Sequence, residues 1–300
     1  MDLTAYINTL GRDLSRRFGE KVHKLSLTGD FTCPNRDGTL GKGGCTFCNV
    51  RSFSRDAARL SISEQIHREK ARTDRARRYL AYFQAYTSTY AEVQWLERQY
   101  REAVECADVV GLCVGTRPDC VPDAVLDLLA GLAGEGKEVW LELGLQSAHD
   151  TTLAGINRGH GFAEYEDAVR RARQRGLKIC THLIVGLPGE DETMIRETHA
   201  RVLEAGVEGL KLHPLMIVRG SRMAAQYQRR EIAPWSLEDY ADLATELIRA
   251  TPWDVVYHRV SATAQAPTLI EPAWCGPRWT ALQAIGERLA ARGKQGSALA

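Results

Sequence analysis

Val109-Val-Gly-Leu-Cys-Val-Gly115 is apolar along its whole length, with no alternation of polar and apolar positions. A strand with one face in water alternates, whereas a strand that stays apolar is buried on both faces, as in a parallel sheet covered by helices. Thr181-His-Leu-Ile-Val-Gly-Leu187 reads the same way. Outward from these two runs, β-rich segments alternate with helical ones. Strands are expected at 24–28, 79–85, 109–115, 138–144, 177–185 and 206–213. Helices are expected near 61–78, 91–106, 121–133, 162–175 and 190–205, with one more from Ser236 to about Ala250. Ser61-Ile-Ser-Glu64 has the capping-box pattern, and Gly176 and Gly206 stand where two helices would end in a left-handed cap. Repeated β–α units give an α/β fold, either a barrel or a doubly wound sheet. Six units are too few for a complete eight-stranded barrel and predict a partial (β/α)6 TIM-type barrel. The expected division is an N-terminal extension over 1–23, the barrel over 24–251, and a C-terminal extension over 252–300 packed on the barrel. Trp253, Trp274 and Trp279 argue that this last part folds.

The chain has 300 residues, 44% hydrophobic and 26% charged, with 26 Gly and 10 Pro, which excludes disordered, collagen-like and low-complexity architectures. Eight cysteines in so long a chain do not read as a disulfide scaffold; they read as ligands or buried thiols. The N-terminus turns charged by Arg12 before any apolar signal core is built, and no run nears the roughly 18 apolar residues of a membrane helix. A cytoplasmic protein with no membrane partner is therefore expected. The net charge of +1 hides an asymmetry: residues 1–80 hold 16 Lys or Arg and 9 Asp or Glu, for +7, while the rest hold 23 and 29, for −6. The basic segment 61–78 is either a solvated helix face or a face that meets phosphates, and charge alone does not decide between them.

Directly after the first expected strand comes FTCPNRDGTLGKGGCTFCNV, residues 31–50. Cys33, Cys45 and Cys48 form a C-x11-C-x2-C array in a loop that also carries Gly38, Gly41, Gly43 and Gly44. Glycines let a backbone turn tightly and aim its amides inward. A closed structural zinc takes four protein ligands and an ordinary iron–sulfur cluster takes four Cys. Three Cys on a [4Fe–4S] cluster leave one iron open to a small chelating ligand. A zinc site completed by His23 or a distant Cys, and buried inert thiols, are the competing readings. The loop leaves the end of a strand where β/α barrels gather their chemistry, which favours a catalytic centre.

This Cys array resembles that of the radical S-adenosylmethionine (radical SAM) superfamily, and CPNRDGTLGKGGCTFCN followed by YFQAYTSTYA resembles its YhcC-like branch. LELGLQSAHDTTLAGINRGH, THLIVGLPGED and LKLHPLMIVRGS resemble the radical SAM half of the Elongator catalytic subunit, a tRNA wobble-uridine modifier. The likeness runs over about residues 20–260. It implies a radical SAM barrel in which Cys33, Cys45 and Cys48 hold three irons of a [4Fe–4S] cluster and the fourth iron takes the amino and carboxylate groups of SAM. An external one-electron reductant then drives cleavage of SAM to methionine and a 5′-deoxyadenosyl radical, which abstracts a substrate hydrogen.

The same resemblance assigns Phe47 to the adenine border. It places Tyr86, Thr87 and Ser88 where relatives carry a Gly-Gly-Glu type turn for the SAM ammonium; here no carboxylate occurs before Glu92. Gly115 stands where the Elongator pattern has a glutamate, and Arg117 with Asp119 reads as a SAM-side contact or a helix-capping ion pair. Gln146 and Arg158, twelve positions apart, match relatives in which the Arg pairs with the SAM carboxylate. Glu142 is expected to reach a ribose hydroxyl or to be buried and paired, and Gly186 and Leu187 to flank the adenine. Lys211 and His213 sit where substrate or a proton donor would be met. Cys106, Cys113, Cys120, Cys180 and Cys275 match no motif; the first four read as packing thiols and Cys275 as the one open to exposure. The implied substrate is a tRNA base, met through the basic N-terminal region, although 300 residues leave no room for an acetyltransferase domain. A small metabolite or a peptide is the runner-up, and a non-catalytic zinc-bearing RNA-binding module the different-class alternative.

Overall fold

The structure is a computed structural model and describes residues 2–49, 60–73 and 76–299. Strands β1 (Val22–Leu27), β2 (Arg78–Phe83), β3 (Val109–Thr116), β4 (Glu138–Gln146), β5 (Lys178–Val185) and β6 (Gly209–Pro214) follow the expected runs closely. They are followed by β7 (Ile217–Val218), β8 (Val256–Arg259) and β9 (Leu269–Glu271). Seven strands form one parallel sheet in the order β1-β2-β3-β4-β5-β6-β8, and β7 pairs antiparallel with β9. The sheet is a curled partial barrel with helices outside, as expected, but it has seven strands rather than six. The seventh comes from the segment read as a C-terminal extension. Val-Tyr-His-Arg is four residues at a sheet edge, too short and too polar to stand out as a buried strand.

Local chemistry sets the helix ends. Ser61 and Glu64 complete the capping box, with the Ser61 amide donating to Glu64 Oε2 at 2.7 Å. The helix they open, Ile62–Lys70, is shorter than the expected 61–78 because the chain turns at Ala71 to enter β2 at Arg78. Gly176 and Gly206 take φ of +69° and +80° and end their helices as anticipated.

Alternate strand residues face opposite sides. Phe83, Leu112, Val114, Leu141, Leu143, Ile179, Leu210 and Leu212 build the main core, which continues into the surrounding helices. Leu80, Tyr82, Cys113, Trp140, Cys180 and Val256 turn inward and pack with Leu10 and Leu14 of the helix Leu10–Phe18. That helix closes the N-terminal end of the barrel. Arg17 locks it there through two hydrogen bonds of 2.6 Å to Glu138, whose carboxylate also accepts Trp140 Nε1 at 2.7 Å. The opposite end, at the C-termini of the strands, stays open and holds the site.

Candidate functional site

The loop that leaves β1 is wound by its own backbone. Cys33 opens a helical turn, Pro34–Asp37, and its carbonyl accepts the Arg36 amide at 2.7 Å. Gly43 and Gly44 follow in left-handed conformations, φ +83° and +76°, and a Cβ on Gly44 would lie 2.7 Å from Arg36 Nε. The Thr46 amide donates to the Ile156 carbonyl at 2.9 Å, and the Thr46 carbonyl accepts from Met223 at 3.0 Å. Asn35 and Asn157 complete the stitching: Asn35 Nδ2 donates to the Asn157 carbonyl at 2.5 Å, and Asn157 Nδ2 donates to the Gly44 carbonyl at 2.8 Å. The Cys loop is thereby tied to the loop after β4.

A cavity of about 250 Å³ opens where these loops meet the strand ends. Cys33, Cys45, Cys48, Phe47, Tyr86, Thr87, Gln146 and Arg158 all line it, so eight of the twelve sequence-assigned residues converge. Arg158 donates to the Gly144 carbonyl through Nε at 3.2 Å and also through Nη2, and its Nη1 lies 3.4 Å from Cys45 Sγ. Asn35 Nδ2 lies 3.7 Å from the same sulfur. Burial, reinforced by Cys45, pushes the Cys48 thiol above its ordinary range, while Arg36 pulls the other way. A metal replaces that proton on binding. Tyr86 and Gln146, at φ +63° and +82°, are non-glycine residues held left-handed on the cavity wall, a strain of roughly 1–3 kcal/mol each that the surrounding loops must hold.

Four assigned residues do not reach the cavity. Glu142 is fully buried below it, with Oε1 accepting from Lys24 at 2.6 Å and approached by His258 Nδ1 at 3.2 Å. Its other oxygen meets Lys211 Nζ and, at 2.9 Å, His182 Nε2. No acceptor is left for a ribose, and the paired alternative holds. Burial alone would raise this carboxyl, but the Lys211 and Lys24 ammonium groups hold it well below the usual range. Ser88 points into the body and donates to the Ala85 carbonyl at 3.3 Å. Gly186, at φ +89°, backs onto the Trp235 ring, and Leu187 is buried in a cluster with Leu153, Leu215 and Met223 against which Phe47 packs. Both therefore stand behind the wall rather than in it. Cys275 is 1% exposed and joins the packing thiols.

Arg117 is 2% exposed, forks onto Asp119 at 2.9 and 2.7 Å, and donates to the Arg158 carbonyl at 2.7 Å. It is an ion pair that positions Arg158. Lys211 and His213 also line the cavity. Sequence reasoning missed Asn35, Asn157, Arg36 and Arg259. For Asn157 the signal was available, since Asn before Arg-Gly tolerates the left-handed region that it takes here, φ +53°. Many N-terminal cations are spent internally: Arg17 on Glu138, Lys24 on Glu142, Arg78 on Glu20 at 2.5 Å, and Lys70 beside Asp108 at 3.6 Å. Arg75 of the basic segment 61–78, and Arg51, Arg55 and Arg59 before it, lie outside the described residues.

The donor set fits an iron–sulfur cluster with a bound chelate better than a lone zinc. Among the described residues no three His, Cys, Asp or Glu side chains converge as a single ion requires, and His23 faces a different cavity beside β1. Thr87 Oγ1 is buried in the wall with no hydrogen-bond partner, as expected of a group that awaits a ligand.

The sequence matches the Radical SAM superfamily over residues 35–202 and the Radical_SAM C-terminal domain over residues 207–291. The chain belongs to the radical SAM superfamily. It is a radical SAM enzyme whose cofactors are a [4Fe–4S] cluster and SAM and whose reaction needs an external reductant. Among radical SAM relatives, Protein YhcC of Escherichia coli K12 is 58% identical over 300 residues, covering 100% of this chain and 97% of its own. A tRNA uridine(34) acetyltransferase of Methanocaldococcus jannaschii is 24% identical over 165 residues, covering 54% of this chain and 30% of its own. The solved archaeal Elp3 of Methanocaldococcus infernus shares the fold, with a TM-score of 0.69 at 17% identity over 90% of this chain and 63% of that one. Among the described residues no helix is long and apolar enough to cross a membrane.

Proposed function

We propose that Cys33, Cys45 and Cys48 each ligate one iron of the [4Fe–4S] cluster and leave the fourth for SAM. The observation that carries this reading is the convergence of the three thiols, Arg158 and the unpartnered Thr87 hydroxyl on one cavity at the strand C-termini. When bound and reduced, the cluster supplies the electron that cleaves SAM to methionine and a 5′-deoxyadenosyl radical. Arg158 offers its guanidinium to the SAM carboxylate, held in place by Gly144 on one side and by Arg117 on the other. Thr87 and Gln146 meet the polar end of SAM, and Phe47, backed by Leu187 and Leu215, gives the adenine an apolar wall. The plug formed by Leu10, Leu14 and Trp140 keeps bulk water from entering through the far end of the barrel, where it would waste a radical.

The chemistry so supplied would act on a C–H bond of a tRNA base. The Elongator-like motifs support this, as does the match to a tRNA uridine(34) acetyltransferase over half of the chain. A small metabolite or peptide is the second reading, favoured by the inward use of several N-terminal cations. Anaerobic reconstitution should give a brown protein that forms 5′-deoxyadenosine when reduced, and Cys33→Ala, Cys45→Ala or Cys48→Ala should lose both colour and turnover. A Cys variant that keeps its iron and activity would refute the ligand assignment. Modified-nucleoside profiling of tRNA from cells lacking the protein tests the substrate: a missing or truncated modification supports the tRNA base, and an unchanged profile shifts the reading to the small molecule.

A further inference from the structure

Strand register brings together cations that lie far apart in the chain. Gly144 on β4 pairs with His182 on β5, His182 with Lys211 on β6, and Lys211 with Arg259 on β8. His182, Lys211 and Arg259 thus form one row across the inner wall, and His213 stands two residues further along β6 toward the cavity mouth. All four line the cavity beneath the cysteine loop.

The charge of this region does not balance. Lys24 and Lys211 share Glu142 as their carboxylate, and Arg259 lies near enough to act electrostatically on Lys211 and His213. Glu142 is saturated by Lys24, Lys211, His182 and His258. Arg259 makes no ion pair or side-chain hydrogen bond among the described residues. Lys211 Nζ bonds Tyr82 Oη at 2.8 Å and Glu142, which leaves one N–H unused. His213 Nε2 is buried without a partner. Burial, opposed by Glu142 and aided by Lys24 and Arg259, brings the Lys211 ammonium down to about 8. Arg259 is exposed at the open end of the cavity, so an anion entering there meets a guanidinium that no carboxylate already holds.

We propose that Arg259, Lys211 and His213 form the receptor for an oxyanion, a carboxylate or phosphate, carried by the substrate, so that this enzyme acts on an anionic substrate whose charged group is seated on the inner wall below SAM. This rests on the reading that the cavity is where substrate meets the radical. The arginine fork suits two oxygens at once, while Lys211 and His213 donate from the neighbouring strand.

Calorimetric titration of the full chain with sodium glutarate and, separately, inorganic phosphate, each at constant ionic strength, tests the receptor. At least one of them should bind saturably, with affinity at least tenfold weaker in Arg259→Gln and in His213→Asn. Arg196→Gln, which removes an exposed arginine paired with Glu192 at 3.1 Å, should bind within twofold of the unaltered protein. Binding of glutarate alone assigns a carboxylate, and binding of phosphate alone a phosphate. Binding of neither, or binding unchanged in both cavity variants, overturns the proposal. The titration requires neither cluster nor SAM. Failure of reconstituted protein to form 5′-deoxyadenosine would therefore count against the proposed cofactor site and leave the anion result standing.

Discussion

The Thr87 hydroxyl separates the needs of the empty protein from those of the loaded one. A buried hydroxyl without a partner forfeits its hydration and gains nothing in return. Thr87→Val should therefore raise the stability of the cofactor-free protein by roughly 1 kcal/mol in denaturant unfolding, yet weaken SAM binding about tenfold in equilibrium dialysis of reconstituted protein. Equal SAM affinity in the two proteins would remove Thr87 from the cofactor's contacts. His199 offers a pH test away from the cavity. Its Nε2 meets Thr251 Oγ1 at 2.8 Å, and burial, with Arg196 nearby, lowers it to about 4. In the unfolded chain it titrates near its ordinary 6.5. Between these values the unfolded chain binds a proton that the folded one refuses, so stability falls as pH drops from about 6.5 to 4. His199→Gln should flatten the stability–pH curve in that window by up to about 1.4 kcal/mol per pH unit, read from urea midpoints. An identical slope would show that His199 charges in the folded state without cost.

Strand packing explains which parts of the fold the sequence discloses. Gly111 on β3 sits against the β4 backbone so closely that a Cβ would fall 1.9 Å from the Glu138 carbonyl oxygen. Gly111→Ala should force the two strands apart and cost about 2–4 kcal/mol, seen as a lower urea midpoint with faster amide exchange along β3 and β4. Unchanged exchange there would mean that the register tolerates the methyl group. Val109–Thr116 was readable as a strand because burial on both faces leaves a continuous apolar run, and the cysteine loop because its spacing is local. β8 was not readable, since its four residues end in His258 and Arg259 and take their place only by pairing with β6. The inner row of His182, Lys211 and Arg259 was hidden for the same reason: register alone unites it. Glu142 shows the limit from the other side. A carboxylate in an apolar strand announced a buried partner, but nothing local said that four side chains from three other strands and β8 would saturate it.

At the scale of the whole molecule, Asn8 and Gln295 meet at β8, the strand of the main sheet that the sequence concealed. Asn8 donates through Nδ2 to the Trp253 carbonyl at 2.9 Å, and its own carbonyl accepts the Tyr257 amide at 2.8 Å, which gives the outer edge of β8 a partner. Gln295 fixes Asn8 in turn: Oε1 accepts the Asn8 amide at 2.9 Å, and Nε2 donates to the carbonyls of Pro252 at 2.7 Å and Val255 at 2.8 Å. The side chain is 2% exposed, so its three hydrogen bonds are shielded from water. Gln295→Ala leaves those partners buried and unpaired and should cost about 3 kcal/mol, near 1 for each bond. The loss should be local before it is global. Amides of β8 should exchange faster than in the unaltered protein while those of β3 and β4 hold their relative protection, because Gln295 touches the edge strand and not the sheet centre. Since β8 also carries Arg259, the same substitution should weaken glutarate or phosphate binding without touching a cavity residue. Uniform acceleration of exchange across the sheet would show instead that the terminal clasp supports the whole barrel equally and has no special hold on its seventh strand.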